Sequence, residues 1–128
     1  MPGETHLSTI LKTLEPELME GEFVFCTVDP HTVLPVEAVM TFREKEGITL
    51  ILPRTIADRL GISYTYVAAW ITLTVHSSLE AVGLTAAFAK ALADEQISCN
   101  VVAGYYHDHI FVDKKDASKA MEMLRKLA

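Results

Sequence analysis

From residue 69 onward the hydrophobic period switches from two to about 3.6 and back, and this order restricts the fold more than any other feature. Residues 69–76 alternate, with Ile71, Leu73 and Val75 on one side and Trp70, Thr72, Thr74 and His76 on the other. Residues 85–95 follow with a helical stripe of Leu84, Phe88, Ala91 and Leu92. Residues 97–104 read as a strand, 105–108 as a turn and 109–113 as a returning strand. Asp113 caps a last helix whose inner face is Ala117, Ala120, Met121, Leu124 and Leu127. A β-α-β-β-α order places both helices on one face of a sheet. The other face, bearing Trp70, Thr72 and Thr74, is left to water or to another subunit.

The first half is less regular. Leu7, Ile10, Leu11, Leu14 and Leu18 fit one helical face over residues 6–20, which Pro16 must end or kink and Gly21 stops. Strands are expected at 22–28, 36–43 and 48–52, the last two joined by a hairpin turn at Glu44-Lys45-Glu46-Gly47. Two prolines make residues 29–35 an irregular loop, so no helix separates the first two strands. A short helix at 55–60 ends at Gly61. Residues 62–68 form a junction, which divides the chain into halves at 1–64 and 65–128.

Half of the 128 residues are hydrophobic, and the mean hydropathy is +0.25. That surplus predicts burial between subunits, and hence a homodimer. The net charge of −6 argues against a nucleic-acid partner. No apolar run reaches the ~18 residues needed to cross a bilayer. The N-terminal residues lack the pattern of a signal peptide. Cys26 and Cys99 each interrupt an apolar strand pattern, as reduced thiols do in the cytoplasm.

The chemistry-bearing candidates cluster after the strand at 69–76. The run Ser77-Ser78-Leu79-Glu80-Ala81-Val82-Gly83 turns into a helix start, where unpaired backbone N–H groups can hold a carboxylate or phosphate. Gly83 would let a ligand approach the backbone, or would simply allow close packing. Glu80 suits a cationic amino group. Asp108 can accept from a ligand ammonium, or close its own turn. His107 and His109 point to one side of an extended chain and could chelate a metal with His76. No nucleophile elbow or other catalytic motif accompanies them. Neither a catalytic residue, a bound metal nor a cofactor is expected, and the chain reads as a binding module and not an enzyme.

Three further stretches sharpen this reading. They are Val75-His76-Ser77-Ser78-Leu79-Glu80-Ala81-Val82-Gly83-Leu84-Thr85-Ala86, Ile97-Ser98-Cys99-Asn100-Val101-Val102-Ala103-Gly104-Tyr105-Tyr106-His107-Asp108-His109-Ile110-Phe111-Val112, and, in the first half, Phe23-Val24-Phe25-Cys26-Thr27-Val28 with Glu46-Gly47-Ile48-Thr49-Leu50-Ile51-Leu52-Pro53. They resemble the ACT family of small-molecule sensing domains, closest to a small bacterial tandem group. The paired ACT domains of aspartate kinases and of CASTOR-type arginine sensors are more distantly similar. The resemblance implies an α+β, ferredoxin-like fold in tandem, with a metabolite, often an amino acid, held between paired domains. It places ligand contacts at Ser78, Leu79, Glu80, Val82 and Gly83, and at Ala103, Gly104, Tyr105, His107 and Asp108. It implies a regulatory output that passes through a partner protein. The alternatives are an interaction module without ligand, or a small metal-dependent enzyme around His76, His107 and His109.

Overall fold

The computed structural model describes residues 7–75 and 83–128. Along the chain run α1 (Leu7–Lys12), β1 (Glu15–Leu18), β2 (Phe23–Val28), β3 (Met40–Arg43), β4 (Ile48–Pro53), α2 (Arg54–Leu60) and β5 (Val67–Thr74). Then come α3 (Leu84–Ala93), β6 (Asn100–Ala103), β7 (Asp108–Asp113), a 3-10 turn at Lys114–Asp116 and α4 (Ala117–Arg125). The described residues form two compact units. They do not follow the sequence in order: residues up to 19 join 69–128, and 20–68 stand by themselves.

In the unit that holds both chain ends the strand order is β1-β5-β7-β6. Leu84, Phe88 and Leu92 of α3 and Ala120, Met121 and Leu124 of α4 pack against Ile71, Leu73, Ile110 and Val112 of the sheet. Their spacing gives each helix one apolar stripe, and both stripes fall on the same sheet face. Ile10 and Leu14, from the start of the chain, are buried in this same core. β1 pairs antiparallel with β5, Glu15 opposite Thr74 through Leu18 opposite Ile71.

In the second unit β3 pairs with β4 and β4 with β2, and Phe23 and Val24 lie opposite Ala68 and Val67. α2 covers one face, with Ala57 packed against Val24, Cys26, Leu50 and Leu52. Gly61 takes the left-handed conformation (φ 67°) and returns its N–H to Ala57 and Asp58 carbonyls, which closes the helix. Both units carry the split β-α-β plan of ferredoxin-like folds, an α+β architecture. Residues 29–39 of the second unit hold no helix, so the first crossover there is a loop.

Three expected elements differ. The helix placed over 6–20 stops at Lys12, and Pro16 sits in a strand. β1 lies at an edge of its unit, where a residue without N–H costs no ladder bond. The strand expected at 36–43 is confined to 40–43, because Ala38 N–H turns back to the Pro35 carbonyl at 3.2 Å. The strand expected at 97–104 begins only at Asn100. Gln96 adopts φ 63°, and Ile97 N–H bonds the Leu92 carbonyl at 3.0 Å, so Ile97 closes α3 instead of opening β6.

Candidate ligand-binding site

The β6–β7 turn is closed by Gly104 N–H donating to the His107 carbonyl at 2.9 Å. A Cβ on Gly104 would lie 2.8 Å from that oxygen and 3.1 Å from His109 Nε2, so the turn requires glycine here. Ala103 at the end of β6 is exposed. Tyr105 and Tyr106 at the tip are 84% and 81% exposed, ring against ring at 4.9 Å. Strand alternation then divides the residues that follow. His107 and His109 face away from the helices: His107 Nδ1 lies 3.4 Å from Thr74 Oγ1, and His109 Nδ1 lies 3.3 Å from Thr72 Oγ1. Asp108 takes the other face, the one carrying Ile110 and Val112 toward α3 and α4.

The Thr74–His107 contact sets the turn beside the C-terminal end of β5. From that same end the chain runs through residues 75–83 into α3. Asp108 and the N-terminus of α3 therefore belong to one end of one sheet face. Burial pushes the Asp108 carboxyl above its ordinary range, and the neighbouring imidazoles pull it back only in part. A half-buried carboxylate of this kind gains most from a bound cation. α3 starts at Gly83, left-handed at φ 94°, and no side chain caps it. Its first-turn N–H groups have no intrahelical acceptor. Gly83 has a close neighbour already: a Cβ would lie 3.3 Å from Leu7 Cδ2. Its conformation means that a side chain there would strain the helix start whether or not a ligand binds. Ser78, Leu79, Glu80 and Val82 lie outside the described residues, as does His76.

Family comparison decides what this arrangement belongs to. The ACT domain pattern matches residues 2–69 and, separately, residues 66–126. The chain belongs to the ACT domain family, with two domains in tandem. Among solved structures, this ACT protein is similar to a Vibrio cholerae protein of unknown function, described as a possible transport protein. The two share 50% identity over 95% of each chain, with a TM-score of 0.86. An Agrobacterium tumefaciens protein is 16% identical over 89% of this chain and 88% of that one, with a TM-score of 0.66. The alpha and beta subunits of aspartokinase are 14% identical over 88% of this chain and 95% of theirs, with a TM-score of 0.60. At those identities the last two share the fold alone. No curated protein matches the chain closely enough to lend it an activity.

Two parts of the ACT protein beyond the predicted site bear on the chemistry. Trp70 was legible as an open-face aromatic, but its bond to His109 was not: Trp70 Nε1–H donates to His109 Nδ1 at 3.1 Å. The indole also stacks on Phe111 at 5.9 Å and 22°. In the 20–68 unit a cleft of about 610 Å³ is lined by Glu20, Glu22, Phe23, Pro53, Arg54 and Asp58. Its one cation is committed within the fold. Arg54 donates from Nε to Tyr64 Oη at 2.9 Å and from Nη1 to Glu22 Oε1 at 3.0 Å, and Tyr64 donates in turn to Asp58 at 2.7 Å. This cleft is a clamp between β2 and α2 more than a receptor. Among the described residues, no group of three or more His, Cys, Asp and Glu side chains converges as a metal site would require. Burial raises the Cys99 thiol to about 11, which keeps it a poor nucleophile. No helix of the described residues is long and apolar enough to cross a membrane.

Proposed function

We propose that this tandem ACT protein is a regulatory module that binds a small zwitterionic metabolite, with an amino acid as the expected ligand, and performs no chemistry on it. The observation that carries the reading is the shared sheet end, where the half-buried Asp108 and the uncapped start of α3 belong to one face. Free amides at a helix start attract a carboxylate. Asp108 supplies a charge-assisted acceptor for the ammonium group. Gly104, Tyr105 and His107 would frame the ligand from the turn, and residues 78–82 from the opposite side. The module acts as a cytoplasmic homodimer, and the ligand signals by favouring one arrangement of its subunits, which a partner protein then reads.

One observation favours an interaction module instead. The exposed Tyr105–Tyr106 pair is the kind of aromatic tip that seats in a partner. A thermal-shift screen with the twenty amino acids separates the two. A true ligand at about 100 times its Kd stabilises the fold by about 2.7 kcal/mol, which for a domain of this size raises Tm by on the order of 10 °C. A flat screen at millimolar concentration contradicts the sensor reading and leaves the interaction module standing.

A further inference from the structure

The face opposite the helices in the unit with both chain ends has a function that ligand binding does not absorb. Reading across it, Glu17 stands opposite Thr72, and Val102 stands opposite His109. Residues paired in this way project to the same side. Thr72 is 8% exposed, and its hydroxyl reaches the His109 ring. Trp70 fixes that ring: an indole N–H can only donate, so Nδ1 must be the acceptor and the proton of the neutral imidazole sits on Nε2. Nε2 is also the atom against which Gly104 is packed. One ring thus joins the body of the sheet to the β6–β7 turn.

We infer that Trp70 and His109 form a proton-operated latch on the β6–β7 turn. With His109 neutral, Trp70 donates to Nδ1 and the turn is held against the sheet. Protonation places a second N–H on Nδ1, directly opposite the indole N–H. The bond cannot survive two donors, the ring must move, and the turn packed on its far edge moves with it. The bearing of the latch on ligand binding rests on the reading above, because Gly104, His107 and Asp108 belong to that site. The latch itself does not depend on it.

The charges around the ring set the direction. Burial disfavours the imidazolium, and so does His107, whose ring is 6.3 Å away; Asp108 favours it in part. Glu17 and Glu15 add negative charge on the same face one strand beyond, while Thr72, Thr74, Val102 and Phe111 bring none. His109 therefore protonates below its ordinary 6.5. The unfolded chain binds the proton first as pH falls, so the stability this residue contributes is intact above about 6.5 and is lost below it, toward the folded value. Asp108 carries the opposite sign. Its raised carboxyl favours the folded state at low pH and loses that contribution as pH rises through the raised value.

The chain has a single tryptophan, so its emission reports on the latch alone. Intensity and wavelength are followed from pH 8 to 5 in the full chain and in H109Q and H107Q, with circular dichroism to confirm folding. The full chain should give one sigmoid with a midpoint below 6.5. H109Q should give none. H107Q should keep the sigmoid and move its midpoint upward, since one opposing charge is gone. Ring nitrogen NMR of the full chain should show Nδ1 unprotonated at pH 8, and the Gly104 amide should shift with the same midpoint; both hold as tests even if H109Q fails to fold. A flat titration, a sigmoid that persists in folded H109Q, the other tautomer, or a Gly104 amide that does not follow the midpoint overturns the latch. None of these measurements contains ligand, so their failure is separate from a flat amino-acid screen.

Discussion

A chain lacking residues 1–19 should lose cooperative folding of the unit formed by residues 69–128. Ile10 and Leu14 are buried in that unit's core, and Leu7 lies against Gly83. β1 supplies four residues of pairing along β5. Each buried aliphatic side chain contributes about 1.5–3 kcal/mol, and each ladder bond about 0.5–1.5 kcal/mol. Together these reach the ~5–15 kcal/mol that holds a typical domain. The truncation also strips one edge of β5 of its partner in this unit. The measurement is a thermal melt by circular dichroism, with amide NMR dispersion for residues 84–128. The expected result is collapsed dispersion in that region, restored by adding a peptide of residues 1–19. A melt within a few degrees of the full chain would mean that β1 decorates the sheet without completing it.

Phe88→Ala should be the most damaging single substitution on α3. Phe88 is fully buried between α4 and the sheet, among Leu84, Leu92, Ile71 and Leu124. Removing the ring forfeits its transfer energy and leaves a cavity that two packed helices cannot collapse around, at a cost of about 3–5 kcal/mol. Tyr105→Ala, at the exposed hairpin tip, is the matched control and should change stability by less than about 0.5 kcal/mol. Urea melts of the two variants measure the contrast through their midpoints. Equal midpoints would contradict the assignment of the core.

Local signals were legible wherever a residue's partners lie nearby in sequence. The stripe of Leu84, Phe88 and Leu92 announces α3, and Gly61 announces the end of α2, because a helix is written in its own period and caps. The Glu44–Gly47 turn and the loop between β2 and β3 were equally plain. β1 was not legible. Its four residues contain a proline, and their pairing partners lie more than fifty residues away, at 71–74. The expected division at 1–64 and 65–128 follows the chain, whereas the compact units exchange its first segment. Only tertiary pairing carries that information. Ile97 misled for a related reason: an apolar residue that closes a helix looks like the first residue of a strand.

The candidate site divides in the same way. His107 and His109 could be placed on one side of an extended chain, and Trp70, Thr72 and Thr74 on the open face, by alternation alone. That Trp70 and His109, 39 residues apart, share a hydrogen bond depends on which strands are neighbours. The half-burial that raises Asp108 likewise comes from packing, not from its neighbours in sequence.

The central claim is that one ligand engages the start of α3 and the β6–β7 turn together. Amide NMR of the full chain, titrated with whichever amino acid shifts its melting temperature most, tests this directly. The account predicts that Gly83, Leu84 and Thr85 move along one saturating curve with Gly104, His107 and Asp108, while the Arg54 cleft stays still. Saturable shifts confined to the Arg54 cleft, or at only one of the two segments, would contradict it.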